Sequence, residues 1–190
     1  MKQHLTKILG AALLFTSLLV GSCKTDPCDT LKCQNGGTCA SGACKCPEGY
    51  SGTECATQKT PSKVRISKIE VLSFNQTAAG GGGWDLTSGG DIYPEIYDAS
   101  GTTRLWTPAT YFIDATSGGA YSWDVSPNLD LDGTTSYKFL LYDDDSPLTP
   151  DFMGGFTTTP FTAGQGFPTT LTWTATDGSL KLRLTVSYIF

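Results

Sequence analysis

The chain of 190 residues lacks most of the side chains from which hydrolytic and transfer sites are built. Its single histidine, His4, stands near the start. No Gly-x-Ser-x-Gly motif occurs, and no phosphate-binding Lys-Ser or Lys-Thr follows the glycines at 80–83. A nucleophile would therefore have no histidine to act as its base, and we expect a protein that is not an enzyme. Paired carboxylates keep a hydrolase of glycosides as a less favoured alternative.

Positive charge is also scarce. The chain has 13 Lys and Arg against 18 Asp and Glu, and its pI is about 4.7. From Ser62 onward the imbalance is larger, with seven Lys or Arg against fourteen Asp or Glu. This charge excludes nucleic acid as an electrostatically held partner. It favours a cation as ligand.

Long apolar runs are missing as well. Residues 8–20 form an apolar stretch too short to span a bilayer, with Lys2 and Lys7 before it. The "VGSC" that follows resembles the lipobox of bacterial lipoproteins. That resemblance implies a signal peptide at 1–22, acylation of Cys23 with palmitate-type chains, and a short tether at 23–27. We expect a lipid-anchored protein of the bacterial cell envelope, in the outer membrane; a plain secretory signal is the alternative.

Six further cysteines lie within residues 28–55, a segment with almost no apolar side chains. Such a segment cannot bury enough surface to fold alone, and disulfides are the usual remedy in an exported protein. Zinc is the alternative for closely spaced cysteines, but the segment contains no histidine. The spacing alone leaves fifteen pairings open.

The motifs "NGGTC", "CKC" and "GYSGTEC" resemble those of the EGF-like module. The resemblance implies the disulfides Cys28–Cys39, Cys33–Cys44 and Cys46–Cys55. It also indicates a module that does not bind calcium, because "TDP" stands where calcium-binding members carry acidic residues. We interpret 28–55 as a rigid spacer, with specific recognition as the alternative, and the polar, proline-containing segment 56–62 as a linker.

Residues 63–190 show the pattern of an all-β domain. In "LKLRLTVSYIF", apolar residues alternate with polar ones from Leu180 to Phe190, so one face is predicted to be core. Asp177-Gly178 marks a hairpin turn before it. Further short segments of this kind are divided by Gly, Ser, Asp and Pro. We predict about eight strands arranged as a β-sandwich.

Two loops of this domain carry closely spaced aspartates. Asp85 and Asp91 are six residues apart, and "YDDDSPLTPD" places Asp143, Asp145 and Asp151 in a loop broken by proline. Two carboxylates about 4 Å apart repel by roughly 4 kcal/mol near a protein surface, so either another group offsets this charge or the loop splays apart. An EF-hand is excluded because Pro147 and Leu148 occupy the positions of a ligand and of the turn glycine.

The segments "DIYPEIYD", "AYSWDV" and "LLYDDDSPLTPDFMGG" resemble those of the C2 domain, a calcium-dependent module. The resemblance covers 63–190 and predicts an eight-stranded antiparallel C2-like sandwich after the disulfide-rich EGF-like module. It implies that the five aspartates bind calcium, with the backbone of Trp84 and Asp144 as further ligands. The alternative is a degenerate member whose acidic rim is merely solvated. In the family, the tips of the first and third loops insert into a lipid surface once calcium is bound. The corresponding tips here are Trp84, Leu86, Pro147 and Leu148; the alternative is that they pack on one another or on the rim of the sandwich.

These expectations combine into one hypothesis. The chain is a calcium-binding, membrane-anchored surface lipoprotein whose C2-like loops mediate calcium-dependent adhesion to a protein, glycan or lipid ligand. The alternative is a structural accessory in which calcium only stabilises the fold.

Overall fold

The computed structural model describes residues 26–78, 80–85 and 88–190, and within these ranges all regular structure is β. Cys23, the signal segment and Leu86 lie outside the described residues. The described strands are β1 Thr38–Ala40, β2 Ala43–Lys45, β3 Tyr50–Ser51, β4 Thr57–Gln58, β5 Lys63–Phe74, β6 Gly90–Asp98, β7 Arg104–Trp106, β8 Phe112–Ala115, β9 Tyr121–Leu131, β10 Tyr137–Asp143, β11 Asp151–Thr158, β12 Thr170–Thr174 and β13 Leu180–Ile189. No described helix is long and apolar enough to cross a membrane.

Strands β5 to β13 form two packed antiparallel sheets. One sheet has the order β11-β10-β6-β7, with β8 paired to the start of β6, and the other has the order β12-β13-β5-β9. The prediction of an all-β sandwich is confirmed. The described part of this domain contains one strand more than the eight predicted. The addition is the short strand β8, which lies in a segment of mixed polarity.

The core lies between the two sheets and follows the alternation seen in the sequence. Leu180, Leu182, Leu184 and Val186 of β13 are all at least 95% buried. They belong to one buried cluster with side chains of the facing sheet, such as Phe139. Each aliphatic side chain buried in this way contributes about 1.5–3 kcal/mol. The sandwich is therefore a rigid support for the loops at its ends.

The N-terminal module consists of two small hairpins, β1-β2 and β3-β4. Its disulfides join the pairs Cys28–Cys39, Cys33–Cys44 and Cys46–Cys55, the same pairs that the EGF-like resemblance implies. Within the predicted linker 56–62, residues Thr57 and Gln58 form β4 and thus extend this module.

The module docks on the sandwich through an aromatic contact and a side-chain bridge. Tyr50 meets Phe167 edge to face, with ring centroids 5.3 Å apart. The Gln58 amide accepts a hydrogen bond from Gly164 N at 2.6 Å and donates one to Gly166 O at 3.0 Å. The Phe167 ring also contacts Phe190 with a centroid distance of 4.9 Å. The loop between β11 and β12 is therefore what fixes the module to the sandwich.

Candidate metal centre

The predicted acidic residues meet at one end of the sandwich. The loop between β5 and β6 carries Asp85, β6 begins beside Asp91, and β10 ends at Asp143 with Asp145 just beyond it. One carboxylate oxygen from each of Asp85, Asp143 and Asp145 lies within 4.8 Å of the others. The fold thus brings two loops that are distant in the sequence to the same place.

A second group shares Asp85 with the first. It consists of Asp85, Asp91 and Asp114, whose carboxylate oxygens also lie within 4.8 Å of one another. Asp114 belongs to β8, and its backbone amide donates to Asp91 Oδ1 at 3.0 Å. The sequence reasoning missed Asp114 because β8 was not predicted. A detectable signal was the apolar pair Phe112-Ile113 immediately before this aspartate.

Asp143 is the most unusual member, because its side chain is completely buried. Its Oδ1 accepts a hydrogen bond from the Asp91 amide. Among the described residues, its Oδ2 has no hydrogen-bond partner. Burial, together with the charges of Asp85, Asp145 and Asp91, raises the pKa of Asp143 to about 6, although the Asp91 amide opposes the rise. A buried carboxylate with a free oxygen is costly unless a cation pairs with it.

Asp145 experiences the same negative field. Its pKa is raised first by burial and then by the charges of Asp151 and Asp85. Asp151 stands opposite Asp143 in the β10-β11 register, but it is exposed and belongs to neither of the two carboxylate groups. Of the five predicted ligands, Asp151 is therefore the one placed at the margin.

All members of the two groups offer carboxylate oxygen, and neither group contains a nitrogen or sulfur ligand. This donor set suits a hard cation such as Ca²⁺, which takes six to eight oxygens at about 2.3–2.6 Å. The free oxygen of Asp143 points to the same conclusion, because a cation would supply its missing partner. The residues present therefore fit calcium, and Asp85 belongs to both of the carboxylate groups that would hold it.

The predicted loop tips differ in their surroundings. Leu148 is 75% exposed and Pro147 is also exposed. Trp84 instead packs partly against the core, and its indole donates to Asn75 O at 2.6 Å. Asp144, predicted as a backbone ligand, donates its amide to Asp91 O at 2.8 Å. Ile113, which the sequence reasoning did not select, is 68% exposed beside Asp114.

Comparison with known proteins gives weak similarities. No protein-family model matches the chain. A segment of 56 residues is 43% identical to the Protocadherin-like wing polarity protein stan of Drosophila melanogaster, covering 27% of this chain and 2% of that protein.

Among solved structures, human GIVD cytosolic phospholipase A2 aligns with 68% of this chain and 18% of its own, at 15% identity and a TM-score of 0.46. A domain of plant Extended Synaptotagmin 1 aligns over 70% of this chain and 99% of its own, at 15% identity and a TM-score of 0.38. A C2 domain protein from Ramazzottius varieornatus aligns over 69% and 92%, at 12% identity and a TM-score of 0.42. The chain thus spans less than a fifth of the phospholipase. Because all three TM-scores are below 0.5, these alignments carry no argument about this chain. The β-sandwich is established instead by the pairing of its own strands.

Proposed function

We propose that the chain is a calcium-binding surface lipoprotein whose acidic loops recognise a ligand when calcium is bound. The observation that carries the proposal is the buried carboxylate of Asp143, which has one oxygen hydrogen-bonded to Asp91 N and the other without a partner among the described residues. Burial and the neighbouring carboxylates of Asp85 and Asp145 raise its pKa. Among the described residues, no Lys or Arg forms an ion pair with it. A divalent cation would relieve both the desolvation and the repulsion.

Calcium would also change what the loops present. Without it, the end of the sandwich is strongly negative and repels anionic surfaces. With it, part of the negative charge would be offset, and the apolar side chains Leu148 and Ile113, which are exposed in the segments that carry these carboxylates, would be free to make contacts. Such a surface is suited to contact with a lipid, protein or glycan ligand, and the proposal assigns it no catalytic role.

The domain offers few basic side chains to support such contact. Four of its seven Lys and Arg residues are already engaged in ion pairs, with Asp130, Asp124, Glu95 and Glu70. We therefore expect apolar contact and the bound ion, rather than attraction to anionic headgroups, to determine affinity.

The proposed anchor is the acylated Cys23, with the docked N-terminal module as a stiff spacer in the bacterial envelope. The test is to express Cys23→Ser alongside the native chain and to follow both by membrane fractionation and labelling with palmitate. Loss of the label and release from the membrane are expected. Label that persists in the variant would disprove acylation at Cys23.

The metal proposal is tested by calorimetric titration of the full chain with calcium. Extracellular calcium modules bind at about 10⁻⁴ to 10⁻³ M, and a site of this kind is expected here. Asp145→Asn should weaken binding at least tenfold, whereas Asp124→Asn, on an exposed carboxylate of β9, should not. The proposal is refuted if 10 mM calcium produces no heat of binding and no shift in the melting temperature.

A structural role is the second candidate, and a specific observation favours it. The carboxylates of Asp143 and Asp91 each accept a backbone amide from a neighbouring element, so they tie β6, β8 and β10 together. Calcium that only strengthens these ties would raise the melting temperature without creating any calcium-dependent binding.

A further inference from the structure

The middle residue of the aspartate run 143–145, Asp144, belongs to neither of the carboxylate groups described above. Its backbone is held in place, because the Asp144 amide donates to Asp91 O at 2.8 Å. Asp144 lines a separate cavity of about 170 Å³, whose other walls are Tyr93 of β6 and the segment 107–111 between β7 and β8. The aspartate run therefore contributes to two neighbouring places, and the proposal above makes use of only one of them.

The charge of this cavity is negative. Among the described residues that line it, Asp144 is the only charged one. One of its carboxylate oxygens accepts a hydrogen bond from Ser146 Oγ at 3.0 Å, and the carboxylate retains further acceptor capacity. Burial first, and then the carboxylates of Glu95 and Asp144, raise the pKa of Tyr93 to about 12, although Arg104 opposes the rise. The cavity therefore disfavours an anionic ligand and favours a cation.

Two tyrosines give the cavity an aromatic wall. Tyr93 is half-buried and stacks on Tyr142 with ring centroids 5.9 Å apart, which fixes the orientation of its ring. Tyr111 also lies on the wall and is 46% exposed. Pro108 and Ala109 add aliphatic surface. Because the face of an aromatic ring is the negative end of its quadrupole, such a wall attracts a cation that has apolar substituents.

The same features exclude other cations. A single carboxylate cannot provide the six to eight oxygens that calcium takes. A primary ammonium has three N–H donors, each of which needs an acceptor, whereas a quaternary ammonium has none and offers methyl groups to an aromatic and aliphatic wall. Pockets for drug-sized ligands begin at about 300 Å³, so a cavity of this volume suits a small group.

We infer that this cavity binds a quaternary ammonium group such as that of choline, with its methyl groups against Tyr93 and Tyr111 and its charge beside the Asp144 carboxylate. The inference goes beyond the proposed function, because it requires no bound calcium. The same chemistry occurs in free choline and in the headgroup of phosphatidylcholine, and the experiment separates these two sources.

The test uses residues 24–190, which include every described residue, in EDTA. Choline is titrated and followed by ligand-observed NMR, with dimethylbutanol, the uncharged carbon isostere of choline, as the matched probe. We expect choline to bind in the millimolar range and dimethylbutanol to bind about tenfold more weakly. If phosphatidylcholine vesicles then compete with choline, the source is a lipid headgroup; if they do not, it is a soluble ligand.

Variants of the wall test the position of the site. Tyr93→Leu and Tyr111→Leu should each weaken choline binding about tenfold, and Asp144→Asn should weaken it several-fold. Tyr93→Phe is the matched control and should bind choline like the native chain, because it retains the aromatic face. Tyr111 is largely exposed, so its replacement should not lower the melting temperature, and its effect on binding is decisive even if Tyr93→Leu is unstable.

Three results would overturn the inference. They are the absence of choline binding at tens of millimolar, equal binding of choline and dimethylbutanol, and native-like binding of choline by Tyr111→Leu and Asp144→Asn. Calcium titration of native and Tyr111→Leu samples, which should be equal, tests the metal site separately, so either proposal can fail while the other stands.

Discussion

The backbone amide of Asp91 donates its hydrogen bond to the buried carboxylate of Asp143, which joins the start of β6 to the end of β10. The same carboxylate has its second oxygen free among the described residues. One side chain therefore both holds two strands together and directs a negative charge into the space between the acidic loops. The stability of the calcium-free domain should therefore depend on this carboxylate.

Asp143→Asn should stabilise the calcium-free domain. The substitution removes a buried charge and retains an oxygen that can accept the Asp91 amide, so the free energy of unfolding in EDTA should rise by about 1 kcal/mol at pH 7.5. Added calcium should no longer stabilise the variant, whereas the native chain should gain about 2.7 kcal/mol at a hundred times its Kd. Urea unfolding with and without calcium measures both. The prediction would be contradicted if Asp143→Asn were less stable than the native chain by the same amount in EDTA as in calcium.

The stability of the metal-free domain should depend on pH in a direction opposite to that of an ordinary salt-bridged aspartate. Burial raises the pKa of Asp143 from 3.8 to about 6, so the folded state retains this proton more strongly than the unfolded chain. Its contribution to stability is complete below about pH 4 and is lost as pH rises through 6. Glu70 and Asp130, which are hydrogen-bonded to arginines, have lowered pKa values and act in the opposite sense.

The difference between native and Asp143→Asn unfolding energies in EDTA, from pH 3.5 to 7.5, isolates the effect. It should grow with pH; a flat difference would refute the assignment.

Leu148→Ala should reduce calcium-dependent attachment to lipid. Residues 24–190, which lack the proposed anchor, are cosedimented with phosphatidylcholine vesicles in calcium or EDTA. The lost contact of an exposed leucine that becomes buried is worth about 1.5–3 kcal/mol, so binding should weaken about tenfold or more. Leu105→Ala, an exposed leucine on β7, is the matched control. If both variants sediment like the native chain, or no vesicle binds, a protein or glycan ligand becomes the better explanation.

Phe167→Ala should loosen the N-terminal module from the sandwich. The Phe167 ring contacts Tyr50, Tyr188 and Phe190, with centroids 4.9–5.3 Å away. Removal of a well-packed phenylalanine costs about 3 kcal/mol or somewhat less where it is only partly buried. Limited proteolysis should then cut within 56–62 much faster. Tyr111→Ala, an exposed ring elsewhere in the domain, should leave the cleavage rate unchanged.

Much of the fold could be predicted because it is encoded locally. The alternation of apolar and polar residues in β13 fixes its buried face. Asp85 and Asp91 lie close to the start of a strand and Asp143 lies at the end of another, so all three are expected at one end of a sandwich. The sequence could not reveal which carboxylates meet most closely. Asp114 joins the cluster only because β8 pairs with β6, and the exposure of Asp151 depends on how its loop turns.

The docking of the two modules was also beyond sequence reasoning. Phe167 stands in a Gly- and Pro-rich segment that has neither helical nor strand periodicity, so nothing local marks it as a contact residue. Its partner Tyr50 lies far away in the sequence, in the other module. Non-local contacts of this kind depend on the assembled surfaces of both units.

The position of the docked module determines where the acidic loops face. Strand β5 begins at Lys63, shortly after the last strand of the module, and ends at Phe74, where the loop that carries Asp85 begins. Twelve residues of strand at about 3.3 Å each separate the two poles by about 40 Å. If the chain is tethered through its N-terminus, the acidic loops therefore point away from the anchoring bilayer. In such a molecule the length of β5 would hold the acidic loops about 40 Å beyond the docked module, within reach of a ligand that is not part of the anchoring bilayer.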